Sequence, residues 1–206
     1  MAINKGKVAG QEKNMREEIY EAAAMLFRRK GYTGTSMQDI ADEVGILKGS
    51  IYYHFSSKDE IFREVLNRGI EPVLKGAESL IRENLNVQEK MRTFIYNHVN
   101  YIIEHNNSLV LFFQEREKLP SSHMQFYLEK RNRYEELLCE ILKEGVEEGI
   151  FPHVDVKLTC FSIFGMCNWI IQWYDPNGPK SPEEIIEHMQ YLICDLMLNQ
   201  PRNMEK

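Results

Sequence analysis

Apolar residues recur at intervals of three and four along almost the whole chain, and no useful stretch alternates with a period of two. The first such pattern predicts an amphipathic helix from about Met15 to Lys30, which Gly31 ends. Further patterns predict a helix opening near Ser57 and helices from Val87 onward. The buried face of the helix after Val87 is predicted to be Met91, Phe94, Ile95, His98, Val99 and Ile102. The chain is therefore predicted to be all-α.

Two short helical patterns separated by a glycine follow the first helix. Thr35 and Ser36 are suitable N-caps for the first of them, because their hydroxyls can accept from unpaired backbone N–H groups. Gly45 suits the tight turn between them, and a second helix runs from near Leu47 to His54. The polar face of this second helix offers Lys48, Ser50, Tyr52, Tyr53 and His54. A cation, hydroxyls and aromatic rings on one short helix predict a helix-turn-helix that enters the major groove of DNA.

The same segment resembles the DNA-binding domain of TetR-family transcriptional regulators over about residues 13–66. The matching positions are Thr35-Ser36, Asp39-Ile40-Ala41, Val44-Gly45, Lys48-Gly49-Ser50, Tyr52, His54-Phe55 and Ser57-Lys58-Asp59-Glu60. A generic helix-turn-helix lacks the Tyr-x-His-Phe-x-x-Lys run. Leu47 departs from the family, which often has Ser or Thr there, so the second helix loses its side-chain cap or uses another group. The polar face and the resemblance together imply DNA contacts by Thr35, Ser36, Lys48, Gly49, Ser50, Tyr52, Tyr53, His54 and Lys58.

The polar residues 1–12 are predicted to form a flexible arm. The resemblance implies a helix-turn-helix domain at 13–58 and a helical effector-binding and dimerisation domain at 59–206. The net charge of −6 is unevenly placed, because the first two segments carry nine Lys and Arg against seven Asp and Glu. A locally basic DNA-binding domain can approach DNA while the acidic remainder of the chain keeps the protein soluble. The helix that joins the two domains contains Pro72, which is predicted to kink or interrupt it.

The chain is predicted to be soluble and cytoplasmic, without a metal site or cofactor. Residues 158–174 carry no charge, but the segment is short and contains several polar residues, which favours a buried helix over a membrane span. No signal peptide is visible. The four cysteines form no Cys-x-x-Cys pair and fall within apolar helical patterns, as reduced core thiols do: Cys139, Cys160, Cys167 and Cys194.

The last two helices are predicted to join two subunits. Residues 158–174 are apolar nearly all round, so this helix needs cover on both sides. The last helix begins at Ser181, with Pro182 at its first position and Glu184 positioned for a capping box. In the family resembled, these two helices form the dimer interface. We therefore expect a homodimer that reads a palindromic double-stranded DNA operator.

The middle helices carry more aromatic surface than a small bundle needs, which predicts an effector site. Arg116 and Arg131 lie in register with apolar stripes, where a guanidinium requires either a route to solvent or an anionic partner. That partner is either a nearby glutamate, such as Glu135, or the anionic part of an amphiphilic ligand. The candidate effector-binding residues are Met91, Phe94, His98, Phe112, Phe113, Arg116, Met124, Arg131, Phe164, Asn168, Trp169 and Trp173.

A second resemblance concerns the kind of effector. Asn168-Trp169, Trp173-Tyr174, Pro176 and Gly178-Pro179, followed by Ser181 to Glu184, are similar to the C-terminal region of TetR-family regulators of fatty-acid and steroid breakdown. Members of that branch respond to acyl-CoA thioesters, so the resemblance implies a repressor released by such a thioester. The alternative keeps the fold but responds to lipophilic drugs and controls an efflux gene.

Two other classes of protein are disfavoured. No Gly-x-Ser-x-Gly elbow, Gly-rich phosphate loop or His-Glu-x-x-His site is present, which argues against an enzyme. A metal or redox sensor could use His98 and His105, or Cys160 and Cys167. Each pair is two helical turns apart, roughly 10 Å, which is too far to share one ion along a helix.

Overall fold

The computed structural model describes the backbone of residues 5–104 and 121–199, and the side chains of residues 14–104 and 124–199. Within those ranges the chain is helical and contains no β-strand, which confirms the all-α prediction.

The described residues form two compact units. The first contains the residues up to Gly69 together with residues 121–127. The second contains residues 70–104 and 128–199. The domain boundary placed after Lys58 from the sequence stays a prediction.

The first unit is built around α1 (Lys5–Lys30), α2 (Met37–Val44), α3 (Lys48–His54) and the first part of α4 (Lys58–Arg82). Their apolar stripes meet in one core, because the predicted helical period places those residues on facing sides. The core side chains that are at most 1% exposed are Ile19, Ala23, Leu26, Phe27, Ile40, Ala41, Ile51, Phe55, Ile61, Phe62 and Leu66.

α1 begins at Lys5, well before the predicted start at Met15. The backbone of residues 5–12, predicted as a flexible arm, is therefore helical. The sequence did not indicate a helix here, because this segment is polar and has no apolar stripe. A polar segment without proline can nevertheless extend a helix that the following residues nucleate. The flexible arm at residues 1–12 stays a prediction.

α2 has the ends that the sequence predicts. Ser36 Oγ accepts the N–H of Asp39 at 3.1 Å, and the Asp39 carboxylate accepts the N–H of Ser36 at 2.8 Å, so both halves of a capping box are present. A hydrogen bond from Lys30 and further bonds from Ser36 hold the pKa of Asp39 well below its usual range. Gly45 ends the helix with φ 78°, and its N–H donates to the Ala41 carbonyl at 2.9 Å.

α4 runs without a break from Lys58 to Arg82 and contains Pro72, so the predicted interruption does not occur. Proline removes one backbone donor from the helix, but Pro72 lies on the exposed side, where water can replace the lost bond. α4 therefore continues from the first unit into the second.

The second unit is organised around α5 (Val87–Glu104), with α7 (Val156–Asn168), α8 (Ile170–Trp173) and α9 (Pro182–Gln190). It also contains α6 (Ser121–Glu147) from residue 128 onward. α5 packs against α7, α8 and α9. α9 has the predicted capping box at Ser181 and continues as a π-helical segment, Tyr191–Met197. The whole predicted stripe of α5 is buried, which confirms that prediction.

Two contacts fix the end of α6. Lys90 on α5 is buried, and its ammonium donates to both carboxylate oxygens of Glu144 on α6, at 2.9 and 3.1 Å. The ring of Phe151 packs on the backbone of Gly145, where a Cβ would lie 2.1 Å from the ring. Gly149 has φ 71°, a value that glycine adopts most easily, and lets the chain turn back.

The cysteines all lie in the second unit. Cys160 and Cys167 are buried, and Cys139 and Cys194 are half-buried. Burial raises the pKa of the Cys167 thiol to about 12 and that of the Cys194 thiol to about 11. Burial and the neighbouring Cys139 also raise the pKa of Cys160. These three thiols stay protonated at neutral pH.

Candidate functional site

α3 is anchored to the first unit on its inner side and at its end. Ile51 is fully buried and Phe55, directly after the helix, is 1% exposed. Arg16 on α1 donates to the backbone carbonyl of His54, and its guanidinium carbon lies 3.9 Å from the centroid of the Phe55 ring. A cation at a helix C-terminus satisfies a free carbonyl and interacts favourably with the helix dipole. The orientation of α3 is therefore fixed by α1.

The outer side of α3 is exposed along the helix. We call it the reading face, and its residues are Lys48, Gly49, Ser50, Tyr52 and Tyr53. Tyr53 is 74% exposed and lies edge-on to the half-buried ring of His54, with the ring centroids 5.2 Å apart. The structure thus brings these predicted DNA-contact residues onto one surface. The surface combines an ammonium, a hydroxyl and two phenol rings, which suit phosphate contacts and base-edge readout.

Two other residues of the predicted DNA-contact set make internal contacts. Thr35 is 1% exposed, and its hydroxyl lies 2.8 Å from the Gly31 carbonyl and 3.3 Å from that of Leu26. Lys58 donates to the carbonyls of Tyr32 and Thr35 at 2.8 and 2.7 Å. These bonds join the turn after α1 to the start of α4. They stabilise the part of the first unit that supports the reading face.

Ser36 is exposed, but its hydroxyl already takes part in the capping box of α2. Thr35, Ser36 and Lys58 entered the set because they belong to one motif. A motif by itself does not distinguish residues that build a domain from residues that touch its ligand. DNA contact by these three residues stays a prediction.

An aromatic cluster occupies the second unit and consists of Phe94, His98, Tyr134 and Phe164. The rings of Phe94 and Tyr134 stack with centroids 5.0 Å apart, and His98 meets Phe164 edge-on at 5.1 Å. The Tyr134 hydroxyl lies 3.2 Å from His98 Nδ1. Burial lowers the pKa of His98 to about 4, with Asn168 opposing the shift, so the imidazole is neutral at pH 7.

His98 Nε2 and Asn168 Oδ1 are both buried beside this cluster and make no well-formed hydrogen bond within the described residues. Asn168 nevertheless acts on His98 as a hydrogen-bond partner that opposes the fall of its pKa. Unpaired buried polar atoms are rare, and each one indicates strain, a role in binding, or a missing ligand or water. Among the side chains that the structure describes, no group of His, Cys, Asp and Glu could hold a metal ion.

The remaining predicted effector residues are not all brought to this cluster. Met91 is fully buried on α5, whereas Trp169 and Trp173 are 66% and 51% exposed. Met124 is buried in the first unit. Arg131 is half-buried, and its Nε lies 3.2 Å from Glu135 Oε1, which is the glutamate pairing that the sequence left open. Phe112, Phe113 and Arg116 lie outside the described residues.

The last helices carry a broad exposed apolar surface, which we call the α7–α9 face. Its exposed large side chains are Leu158, Phe161, Met166, Trp169, Trp173, Tyr191 and Leu196. A groove of about 580 Å³ adjoins it, lined in part by Trp173, Ile185, Met189 and Tyr191. Among the described helices, none is long and apolar enough to cross a bilayer. Several large apolar side chains exposed on neighbouring helices are typical of a contact site for another molecule.

Two segments of the chain match known protein families. Residues 19–65 match the family described as "Bacterial regulatory proteins, tetR family". Residues 84–197 match "Tetracyclin repressor-like, C-terminal domain". The chain belongs to the TetR family. It is thus a DNA-binding transcriptional regulator, and its family is not an enzyme class.

Named relatives support the same assignment to the TetR family. The HTH-type transcriptional repressor KstR2 of Mycobacterium tuberculosis is 32% identical over 193 residues, which cover 92% of this chain and 95% of that protein. PfmR, a TetR-family regulator from Thermus thermophilus, is 35% identical with a TM-score of 0.77, over 86% of this chain and 97% of that one. AibR, solved with isovaleryl coenzyme A and operator DNA, is 25% identical with a TM-score of 0.76, over 86% of this chain and 97% of that one. The chain is therefore a TetR-type transcriptional repressor.

Within this TetR-family domain, Leu47 and Arg16 are functional candidates that the sequence did not supply. Leu47 is the N-cap of α3 and makes no side-chain cap, so the helix begins instead with the Ser50 N–H bonded to the Leu47 carbonyl at 2.8 Å. The departure from Ser or Thr was the available signal for Leu47. For Arg16 no local pattern exists, because its contact with His54 spans 38 residues.

Proposed function

We propose that this TetR-family repressor binds a palindromic operator as a homodimer joined through its last two helices and is released by an acyl-CoA thioester. The observation that carries the DNA-binding part is the reading face, which projects from a helix fixed at its inner side by Ile51 and at its end by Arg16. A rigid helix with an exposed polar face is what major-groove readout requires.

The dimer is supported by the α7–α9 face. Exposure of Phe161, Trp169 and Trp173 in a single chain costs free energy that burial against a second copy would recover. Two copies related by a two-fold axis would bury identical surfaces. The two-fold axis would also place two reading faces about one DNA turn apart, roughly 34 Å, which matches the symmetry of a palindrome.

The ligand's chemistry is suggested by the neutral imidazole of His98. The pKa of the Tyr134 hydroxyl is raised by burial, so the hydroxyl keeps its proton and can donate to His98 Nδ1. With the hydroxyl as donor, the imidazole proton lies on Nε2, which is then a buried donor that makes no well-formed hydrogen bond within the described residues. A thioester carbonyl is a neutral acceptor that suits such a donor.

A free carboxylate fits the same place poorly. It would need a cation in a buried site, and His98 is neutral at pH 7. Arg131, an anion-binding candidate from the sequence, is paired with Glu135. The AibR complex holds isovaleryl coenzyme A, which supports a thioester of similar chemistry here.

Release requires that the ligand bind the DNA-incompetent state more tightly than the DNA-competent one. α4 offers the connection, because one uninterrupted helix contributes residues both to the first unit and to the second. A ligand in the second unit would change the population of α4 positions and so the spacing of the two reading faces.

The full-length protein should be used to select duplexes from a random pool, and its mass in solution should be measured with and without the selected duplex. A panel of acyl-CoA thioesters is then added, with the matching free acids and CoA alone as controls. We expect a dimer on a palindromic duplex and at least about a tenfold loss of affinity with one thioester class only. If no duplex is selected, the DNA-binding proposal fails. If the duplex is bound but no thioester changes either affinity or thermal stability, only the effector proposal fails.

A further inference from the structure

Leu47 lies in the turn between α2 and α3, directly before the reading face, and is 81% exposed. A single exposed leucine on a protein surface needs no explanation. In the described part of the first unit, however, the other exposed large apolar side chains are Tyr53, Tyr52 and Met25, at 74%, 49% and 42%. Three of these four side chains therefore lie in the turn and on α3. The exposed apolar side chains of this unit are concentrated at the surface proposed to bind DNA.

The fold does not use the Leu47 side chain. Its position is the N-cap of α3, where Ser, Thr, Asp or Asn would stabilise the helix by about 1 kcal/mol, and leucine supplies no such bond. The backbone there is extended, with φ −71° and ψ 140°, a conformation that any of those residues adopts. An exposed leucine at a cap position thus costs stability and has no compensating contact in the helix end.

The space beside Leu47 is open. A Cβ built on Gly49 would meet no atom within 4 Å, and the φ of Gly49 is not positive. Neither packing nor backbone strain within the chain therefore requires a glycine there, although glycine weakens a helix relative to alanine. A partner that approaches the backbone closely at this point accounts for the missing side chain.

The first residues of a recognition helix meet base edges in the major groove, and there the apolar group is the C5-methyl of thymine. The leucine side chain has neither a donor nor an acceptor, so it cannot hydrogen-bond to a phosphate or to a base edge. We propose that Leu47 is a specificity-determining residue that selects thymine in each operator half-site by contact with its 5-methyl group. The proposal rests on the operator binding proposed above.

The test uses the operator selected by the full-length protein. Each thymine in turn is replaced by deoxyuridine, which removes only the methyl group, and the Kd is measured at one fixed salt concentration. At one symmetry-related pair of thymines we expect the wild-type affinity to fall about threefold to fivefold per half-site, the loss that one buried methyl group implies. 5-Methylcytosine at the same position, in place of unmodified cytosine, should recover affinity by a similar factor.

The matched variants are Leu47→Ala, which shortens the side chain, and Leu47→Ser, which restores a side-chain cap and so preserves the helix. Both should bind thymine and uracil equally at the chosen position while still responding to changes elsewhere in the operator. A methyl effect that is the same in Leu47→Ser and in the wild type would overturn the proposal, because another side chain or the DNA shape would then be responsible. Equal wild-type affinity for thymine and uracil at every position would also overturn it. Failure to select any operator would instead remove the DNA-binding proposal on which this one rests.

Discussion

The guanidinium of Arg16 on α1 bonds to the backbone carbonyl of His54 and stacks on the ring of Phe55, so α1 holds the C-terminal end of the recognition helix. Glu60 and Glu64 lie 3.8 and 3.5 Å from the same guanidinium and orient it. α1 carries none of the predicted DNA-contact residues. It nevertheless sets the direction in which the reading face points.

Replacing Arg16 by Ala should weaken operator binding by about tenfold, because the loss of a charge-assisted bond loosens α3. The slope of log affinity against log salt should stay unchanged, since a residue that acts through α3 neutralises no phosphate. Lys48→Ala is the matched control and should lower that slope by about one. A smaller slope in Arg16→Ala would make Arg16 a phosphate contact instead.

The two partners of the Lys90–Glu144 pair should respond unequally to substitution. Glu144→Gln leaves the buried Lys90 ammonium without a counter-charge and should lower the free energy of unfolding by about 2–3 kcal/mol. Lys90→Met removes the buried charge itself and should cost about 1 kcal/mol or less. Urea denaturation measures both. Equal losses would show that the pair acts through its attraction rather than through the cost of an isolated buried lysine.

His98 should make the protein less stable in mild acid. Its pKa is lowered to about 4 in the folded chain, against about 6.5 when unfolded, so the unfolded state binds more protons between those values. The free energy of unfolding should therefore fall as the pH drops from about 6.5 to 4, by about 3 kcal/mol from this group. His98→Phe should remove that part of the pH dependence, as thermal unfolding at several pH values can show. An unchanged pH profile in the variant would mean that the imidazole is not buried as a neutral group.

A charge in the α7–α9 face should separate the proposed subunits. We expect Phe161→Glu to give a folded monomer with operator affinity reduced by at least about a hundredfold, because one reading face alone makes half of the contacts. Lys143→Glu, an exposed change on α6, is the control and should leave the mass in solution unchanged. The emission of the tryptophans, Trp169 and Trp173, should shift to longer wavelength on separation. A Phe161→Glu protein that remains dimeric would place the interface elsewhere.

Two glycine-to-alanine changes should act in opposite directions. At Gly145 the new methyl group would lie 2.1 Å from the Phe151 ring, so we expect a loss of about 1–3 kcal/mol. At Gly76 on α4 the methyl would meet no atom within 4 Å, and the better helix propensity of alanine should add about 0.5–1 kcal/mol. Differential scanning calorimetry of both variants checks the pair, and stabilisation by Gly145→Ala would show that the ring moves aside.

The features that the sequence predicted correctly have local causes. The cap at Ser36, the turn at Gly45 and the buried stripe of α5 each depend on residues a few positions apart, and helical periodicity records such relationships directly. The start of α1 could not be predicted in this way, because its polar residues form no apolar stripe that would indicate a helix.

The functional candidates were harder to predict, because the contacts that position them join residues far apart in the sequence. Arg16 contacts His54 across 38 positions and Lys90 contacts Glu144 across 54, and no local pattern marks such pairs. The family motif grouped Thr35 with the reading face although its hydroxyl is bonded internally. Only three-dimensional packing distinguishes a residue that supports the surface from one that forms it.

The buried cysteines have a practical consequence for chemical labelling. Because Cys160, Cys167 and Cys194 hold their protons to high pH, maleimide and iodoacetamide reagents, which attack thiolates, will modify them slowly. The half-buried Cys139 is then the natural cysteine to replace first. A cysteine introduced at the exposed Tyr53 would accept a fluorophore or spin label in preference to those three, so the separation of two recognition helices could be followed in solution as ligand is added.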